Sequence, residues 1–140
     1  MMRYFIKNAS SVIEVISREE TATAWLTLSE DGIVRILFKK SVEVDLPAQD
    51  ENHAAFIRIC GDKKRPVIYR TQDYVNFTKE ARERSVLLEK TSPILASAMI
   101  PQNFGYKLLA DLYIRINKPG IPTKVFSTEE EAVAWLRSLT

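Results

Sequence analysis

Cysteine, histidine and glycine are scarce in this chain of 140 residues. The single Cys60 excludes an intrachain disulfide, and with the single His53 it leaves a His/Cys metal site without enough ligands. Nucleophilic catalysis most often needs a His base. His53 sits amid Glu51, Asn52, Ala54 and Ala55 on an expected helix and reads as structural. No G-x-S-x-G elbow is present. The four glycines, Gly32, Gly61, Gly105 and Gly120, lie too far apart to cradle a phosphate, and each has a turn or helix-end explanation. These absences lead us to expect no metal, no cofactor and no enzyme. Long apolar runs are missing too: no stretch of 18 apolar residues could cross a membrane. Met1 to Ser17 carries Arg3, Lys7, Asn8 and Glu14 and lacks an uninterrupted apolar core of a signal peptide. The expectation is therefore a cytoplasmic protein, in which the Asn8-Ala9-Ser10 sequon is idle. Charge of one sign is also lacking, with 20 Lys and Arg against 18 Asp and Glu. Both halves of the chain are close to neutral, so nucleic acid is not an expected partner.

What is present suits a globular α/β domain. Hydrophobic residues make up 46%, enough for a core. Residues 1–17 hold Tyr4, Ile6, Val12, Ile13, Val15 and Ile16 and are read as strand. Ala24, Leu26 and Leu28 alternate with polar or outward residues; Asp31-Gly32 turns the chain, and Ile33 to Phe38 returns as the second arm of a β-hairpin. Val42 to Leu46 alternates again and could add a short strand. Asp45 then caps a helix with Pro47 in its first turn, and Gly61 stops it. Ala55, Phe56, Ile59 and Cys60 share its apolar face, with Cys60 acting as a small hydrophobe. Lys63-Lys64-Arg65 reads as a solvated turn before a Pro66–Tyr69 strand.

Thr78 caps a helix over residues 79–90, and Ile94 to Ile100 is a strand covered on both faces. Phe104, Leu108, Leu109, Leu112, Tyr113 and Ile116 follow helical spacing, with Lys107, Asp111 and Arg115 opposite. Thr123–Phe126 is a short strand. Glu129-Glu130-Glu131 suits a helix N-terminus better than a metal. The last helix is expected to bury Ala132, Trp135, Leu136 and Leu139. This alternation predicts a sheet that begins antiparallel and becomes parallel. Trp25, facing away from Ala24 and Leu26, is compatible with cover by residues 1–17 or by a second copy in a homodimer.

In such sheets partners and ligands tend to meet the loops at the carboxyl ends of parallel strands. Those loops, with the helix start that follows the first, offer Arg70, Thr71, Gln72, Asp73, Tyr74, Asn76, Thr78, Lys79, Arg82, Gln102 and Asn103. The set is rich in hydrogen-bonding groups and lacks an acid–base pair, which suits recognition better than catalysis.

Three stretches carry a family likeness. They are Ser29-Glu30-Asp31-Gly32-Ile33-Val34-Arg35, then Arg65-Pro66-Val67-Ile68 leading to Thr78-Lys79-Glu80-Ala81-Arg82-Glu83, and Ile116 to Leu136 with its Pro-led strand and Ala-x-x-Trp-Leu. Together they resemble small bacterial SpoIIAA-like proteins of the STAS type. The likeness divides the chain into a strand-forming extension, 1–20, and a single STAS-like domain, 21–140. It implies a mixed sheet of four to six strands with about four helices and an N-terminal β-hairpin. It also implies a non-enzymatic regulator resembling anti-sigma factor antagonists, docking a kinase-like protein or sigma-factor regulator through the Arg70–Lys79 loop and the following helix. In that family a Ser or Thr at the start of this helix is phosphorylated. Here Asn76-Phe77-Thr78-Lys79 matches the region, without the family's Asp-Ser and Gly, and Thr78 is the hydroxyl on offer. A lipid-binding branch of similar proteins implies the alternative, a small apolar ligand held under the helix of residues 103–116.

Overall fold

The computed structural model describes residues 2–5 and 12–139, with side chains described from Ile13 onward; the sequon therefore lies outside the described residues. In chain order the elements are β1 (Met2–Phe5), β2 (Val12–Glu20), β3 (Ala24–Ser29), β4 (Val34–Phe38), β5 (Glu43–Val44), α1 (Leu46–Cys60), β6 (Arg65–Thr71), β7 (Asn76–Phe77), α2 (Lys79–Leu88), β8 (Ile94–Ile100), α3 (Phe104–Asn117), β9 (Thr123–Val125) and α4 (Glu129–Ser138). The main sheet has seven strands in the order β1-β2-β3-β4-β6-β8-β9. The six from β2 to β9 match the expected number, and β1 adds a further strand at the edge. β1 to β4 form an antiparallel meander, and β4, β6, β8 and β9 run parallel.

Local chemistry explains the turns. Between β3 and β4, Gly32 adopts φ +80, Ser29 accepts the Gly32 N–H at 2.9 Å, and Asp31 Oδ1 accepts the Ile33 N–H at 3.1 Å. The expected hairpin is therefore built as read. The register of β2 against β3 shifts between Val15 and Ser17, and Ile16 at that bulge is exposed. The short strand expected at 42–46 shrinks to β5 and leaves the main sheet to pair with β7. The reason is the turn at Ser41, which has φ 59 and donates its N–H to the Asp73 carbonyl.

Strand alternation divides the core between two faces. On one, Leu26, Val34, Ile36 and Val67 pack with Ala55, Phe56 and Ile59 of α1 and Ala81 of α2. On the other, Ile33, Ile68, Ala96 and Ala98 pack with Ala132 and Leu136 of α4. Asn52 of α1 donates to Thr23 Oγ1 at 2.9 Å and meets the Thr21 hydroxyl, so this buried amide locks α1 to the β2–β3 turn. Leu139, expected on the buried face of α4, is 43% exposed, because the helix ends one residue before it. Trp25 is half-buried, with the Lys39 ammonium 5.0 Å from its ring centre and Glu20 of β2 as its cross-strand partner. α3 differs from the other helices: none of its 14 residues is buried.

Candidate functional site

A groove of about 410 Å³ opens on the α1/α2 face, between α2 and α3. Phe38, Tyr69 and Met99 from β4, β6 and β8 line its floor, and Leu88 of α2 faces Leu109 and Tyr113 of α3 across it. The strands supply this floor through their period of two: Ile68 and Ala98 turn to the opposite core while Tyr69 and Met99 turn here. Phe38 stacks on Tyr69 at 6.4 Å and meets the Phe77 ring edge-on at 4.9 Å, fixing the aromatic part of the lining. The volume lies within the roughly 300–1,000 Å³ common for small-molecule sites.

Several polar groups punctuate this apolar surface. Glu89 accepts the Gly120 N–H at 3.1 Å, and burial raises its carboxyl pKa. Burial, and then the Glu89 charge, raise the pKa values of Tyr69 and Tyr113; Tyr113 also shares a hydrogen bond with Ser85. His53 lines the groove from α1, and desolvation lowers its pKa. Sequence reading assigned none of Tyr69, Glu89, Ser92 and Tyr113 to a site. The available signal was the small residues Ala81 and Ser85 on α2, which leave space where larger side chains would close the face.

The residues singled out in the loops divide three ways. Asn76 and Arg82 join the groove, and Thr71 reaches both it and a second cavity. Arg70, Thr71 and Gln102 line that second cavity, a polar one of about 250 Å³, together with Ser127, Thr128 and Glu129 of α4. Glu129 is buried there, with Arg35 Nε at 3.5 Å and Arg70 Nη1 at 3.6 Å; Asp31 holds Arg35 from the other side at 2.9 Å. The remaining residues have structural duties or stand in solvent. Thr78 and Asn103 cap α2 and α3, accepting N–H bonds from Ala81 and Tyr106. Gln72 accepts the Lys40 N–H, and Asp73 accepts from Gln102. Lys79 lies 3.9 Å from Glu83 on the exposed side of α2. Tyr74 stands 74% exposed at φ 62. Among the described residues no cluster of metal-ligating side chains is found, and no helix is long and apolar enough to cross a membrane.

Comparison with known proteins adds the fold. A family model described as a domain of unknown function, DUF7793, matches residues 26–140. No curated protein matches the chain. Among solved structures, an uncharacterised DUF3478-family protein with a SpoIIAA-like fold from Shewanella loihica PV-4 superposes with a TM-score of 0.54 at 11% identity, covering 91% of this chain and 98% of its own. A protein of unknown function from Arthrobacter sp. FB24 matches at 24% identity with a TM-score of 0.29, covering 80% of this chain and 97% of its own. The SpoIIAA-like fold expected from the sequence is thus borne out.

Proposed function

The chain belongs to the DUF7793 family of unknown function, and we propose that it is a binding protein whose groove between α2 and α3 holds a small apolar ligand. The observation that carries this reading is the groove itself, about 410 Å³ of predominantly apolar space bounded by Phe38, Leu88, Met99 and Leu109. Burying apolar ligand surface stabilises a complex by about 25 cal/mol per Å², before the cost of association. The placement of the groove under α3 supports the apolar-ligand alternative more directly than the phospho-switch. The test is uptake of the neutral fluorophore N-phenyl-1-naphthylamine, together with mass spectrometry of an organic extract of the purified protein. Ser85→Trp, on the half-buried face of α2, fills the groove and abolishes uptake while the circular-dichroism melt persists. Unchanged uptake in that variant, with nothing in the extract, would sink the reading.

Tyr74 favours a second reading, in which the Arg70–Lys79 loop and α2 dock a protein. A non-glycine residue at positive φ stores strain and here presents an aromatic ring to solvent. Phosphorylation of Thr78 would place a dianion at the α2 N-terminus beside Lys79, a favourable position that alters the docking surface without unfolding it. Tyr74→Ala with Lys79→Glu would abolish capture of a kinase-like or sigma-regulator partner at constant melting temperature. Equal capture by variant and wild type would exclude this surface.

A further inference from the structure

One end of the groove is polar in a selective way. Where α2 ends and β8 and β9 begin, Glu89, Ser92 and Tyr113 contribute to the lining. Ser92 is 6% exposed and its Oγ makes no hydrogen bond. Buried hydroxyls nearly always have a partner, because losing water without replacement is unfavourable. Glu89 accepts one backbone N–H, from Gly120, and none of the ion pairs among the described residues involves it. This end therefore offers spare acceptor capacity on a carboxylate and an unused hydroxyl, facing apolar space.

We propose that the groove selects an amphiphile whose head donates hydrogen bonds and carries no negative charge, an alcohol or an amine on an alkyl chain, seated on Glu89 and Ser92. This rests on the apolar-ligand reading above. An alcohol hydroxyl donates to the Glu89 carboxylate and accepts from the Ser92 hydroxyl, whereas an ammonium donates to both oxygens. A carboxylate head would face Glu89 as a like charge in a partly desolvated site. Arg82, a cationic group lining the groove, precedes Glu89, the C-cap of α2, by seven positions, roughly 10 Å along the helix, and its charge reaches this end through Tyr113. Its Nη1 already donates to the Phe77 carbonyl. The opposite wall adds His53, whose lowered pKa favours the neutral ring.

The experiment displaces bound N-phenyl-1-naphthylamine from the full chain at pH 8 with dodecanol, dodecylamine or dodecanoate. The expected result is displacement by the alcohol and the amine at concentrations about tenfold below that of the carboxylate. Glu89→Gln keeps the Gly120 bond and brings dodecanoate to within about twofold of the others. Ser92→Ala weakens dodecanol while leaving the melting temperature unchanged or raised, since no bond is lost in the free protein. Equal displacement by all three in the wild type overturns the proposal and leaves the apolar-ligand reading standing; so does dodecanoate displacing best, which would assign the head to Arg82. A chain that takes up no probe overturns both.

Discussion

Glu129 is the acidic residue of the α4 start that solvent does not reach: its side chain is 1% exposed and sits between Arg35 and Arg70. Removing one member of a buried ionic set leaves the other charges uncompensated, at a cost of about 3 kcal/mol. Glu129→Ala should therefore lower the urea midpoint sharply, whereas Glu130→Ala, on the exposed side, should move it little; equal effects would show that Glu129 is not held as described. His53 gives a prediction in pH. Burial lowers its pKa below the ordinary 6.5, so the unfolded chain binds the proton first as pH falls. The stability His53 contributes is complete above about pH 6.5 and declines below it. His53→Leu should flatten that acid limb in urea titrations between pH 7 and 5, and an unchanged slope would contradict the burial. Cys60 behaves as read from sequence: buried, with its thiol pushed up to about 11, it is a packing residue.

Caps made two of the helices legible: Asp45 and Thr78 accept the N–H bonds of Ala48 and Ala81 as read. Asn103 and Thr128 do the same for Tyr106 and Glu131. The reading of α3 shows where periodicity runs out. Phe104, Leu108, Leu112 and Ile116 recur with helical spacing, yet all four are exposed; Leu109 and Tyr113 line the groove, and even Leu109 is 61% exposed because nothing else among the described residues packs on it. Spacing reveals a stripe but not what the stripe faces, and the groove arises from strands and helices distant in sequence. Likewise Glu129 reads as one of three helix-start acids until β4 and β6 bring Arg35 and Arg70 to it. A helix with no buried residue opens at low free-energy cost. Amide hydrogen exchange should accordingly be faster in α3 than in α1, whose Ala55, Phe56 and Ile59 are buried. Occupancy of the groove should slow α3 selectively; uniform slowing across both helices would place the ligand elsewhere.

At the scale of the whole molecule, the antiparallel β1–β4 block and the parallel β4–β9 block share one sheet, but their cover is uneven. α1 and α2 pack over the middle of one face and α4 over β6 and β8 on the other, while α3 stands against β9 and leaves the groove beneath it. A fold of this size gains its stability from the packed regions, so the groove is a local deficit that a ligand can repair. A ligand that binds the folded chain alone adds RT ln(1 + [L]/Kd), about 2.7 kcal/mol at a hundredfold excess over Kd. For a domain of this length that corresponds to a rise in melting temperature of roughly 8 °C. The delipidated wild type titrated with dodecanol should show this rise, growing logarithmically with concentration beyond saturation. Ser85→Trp, whose indole occupies the same space, should melt at one temperature whatever the ligand concentration. If both chains rise together, the stabilisation comes from a surface other than the groove, and α3 is then simply a loosely packed wall.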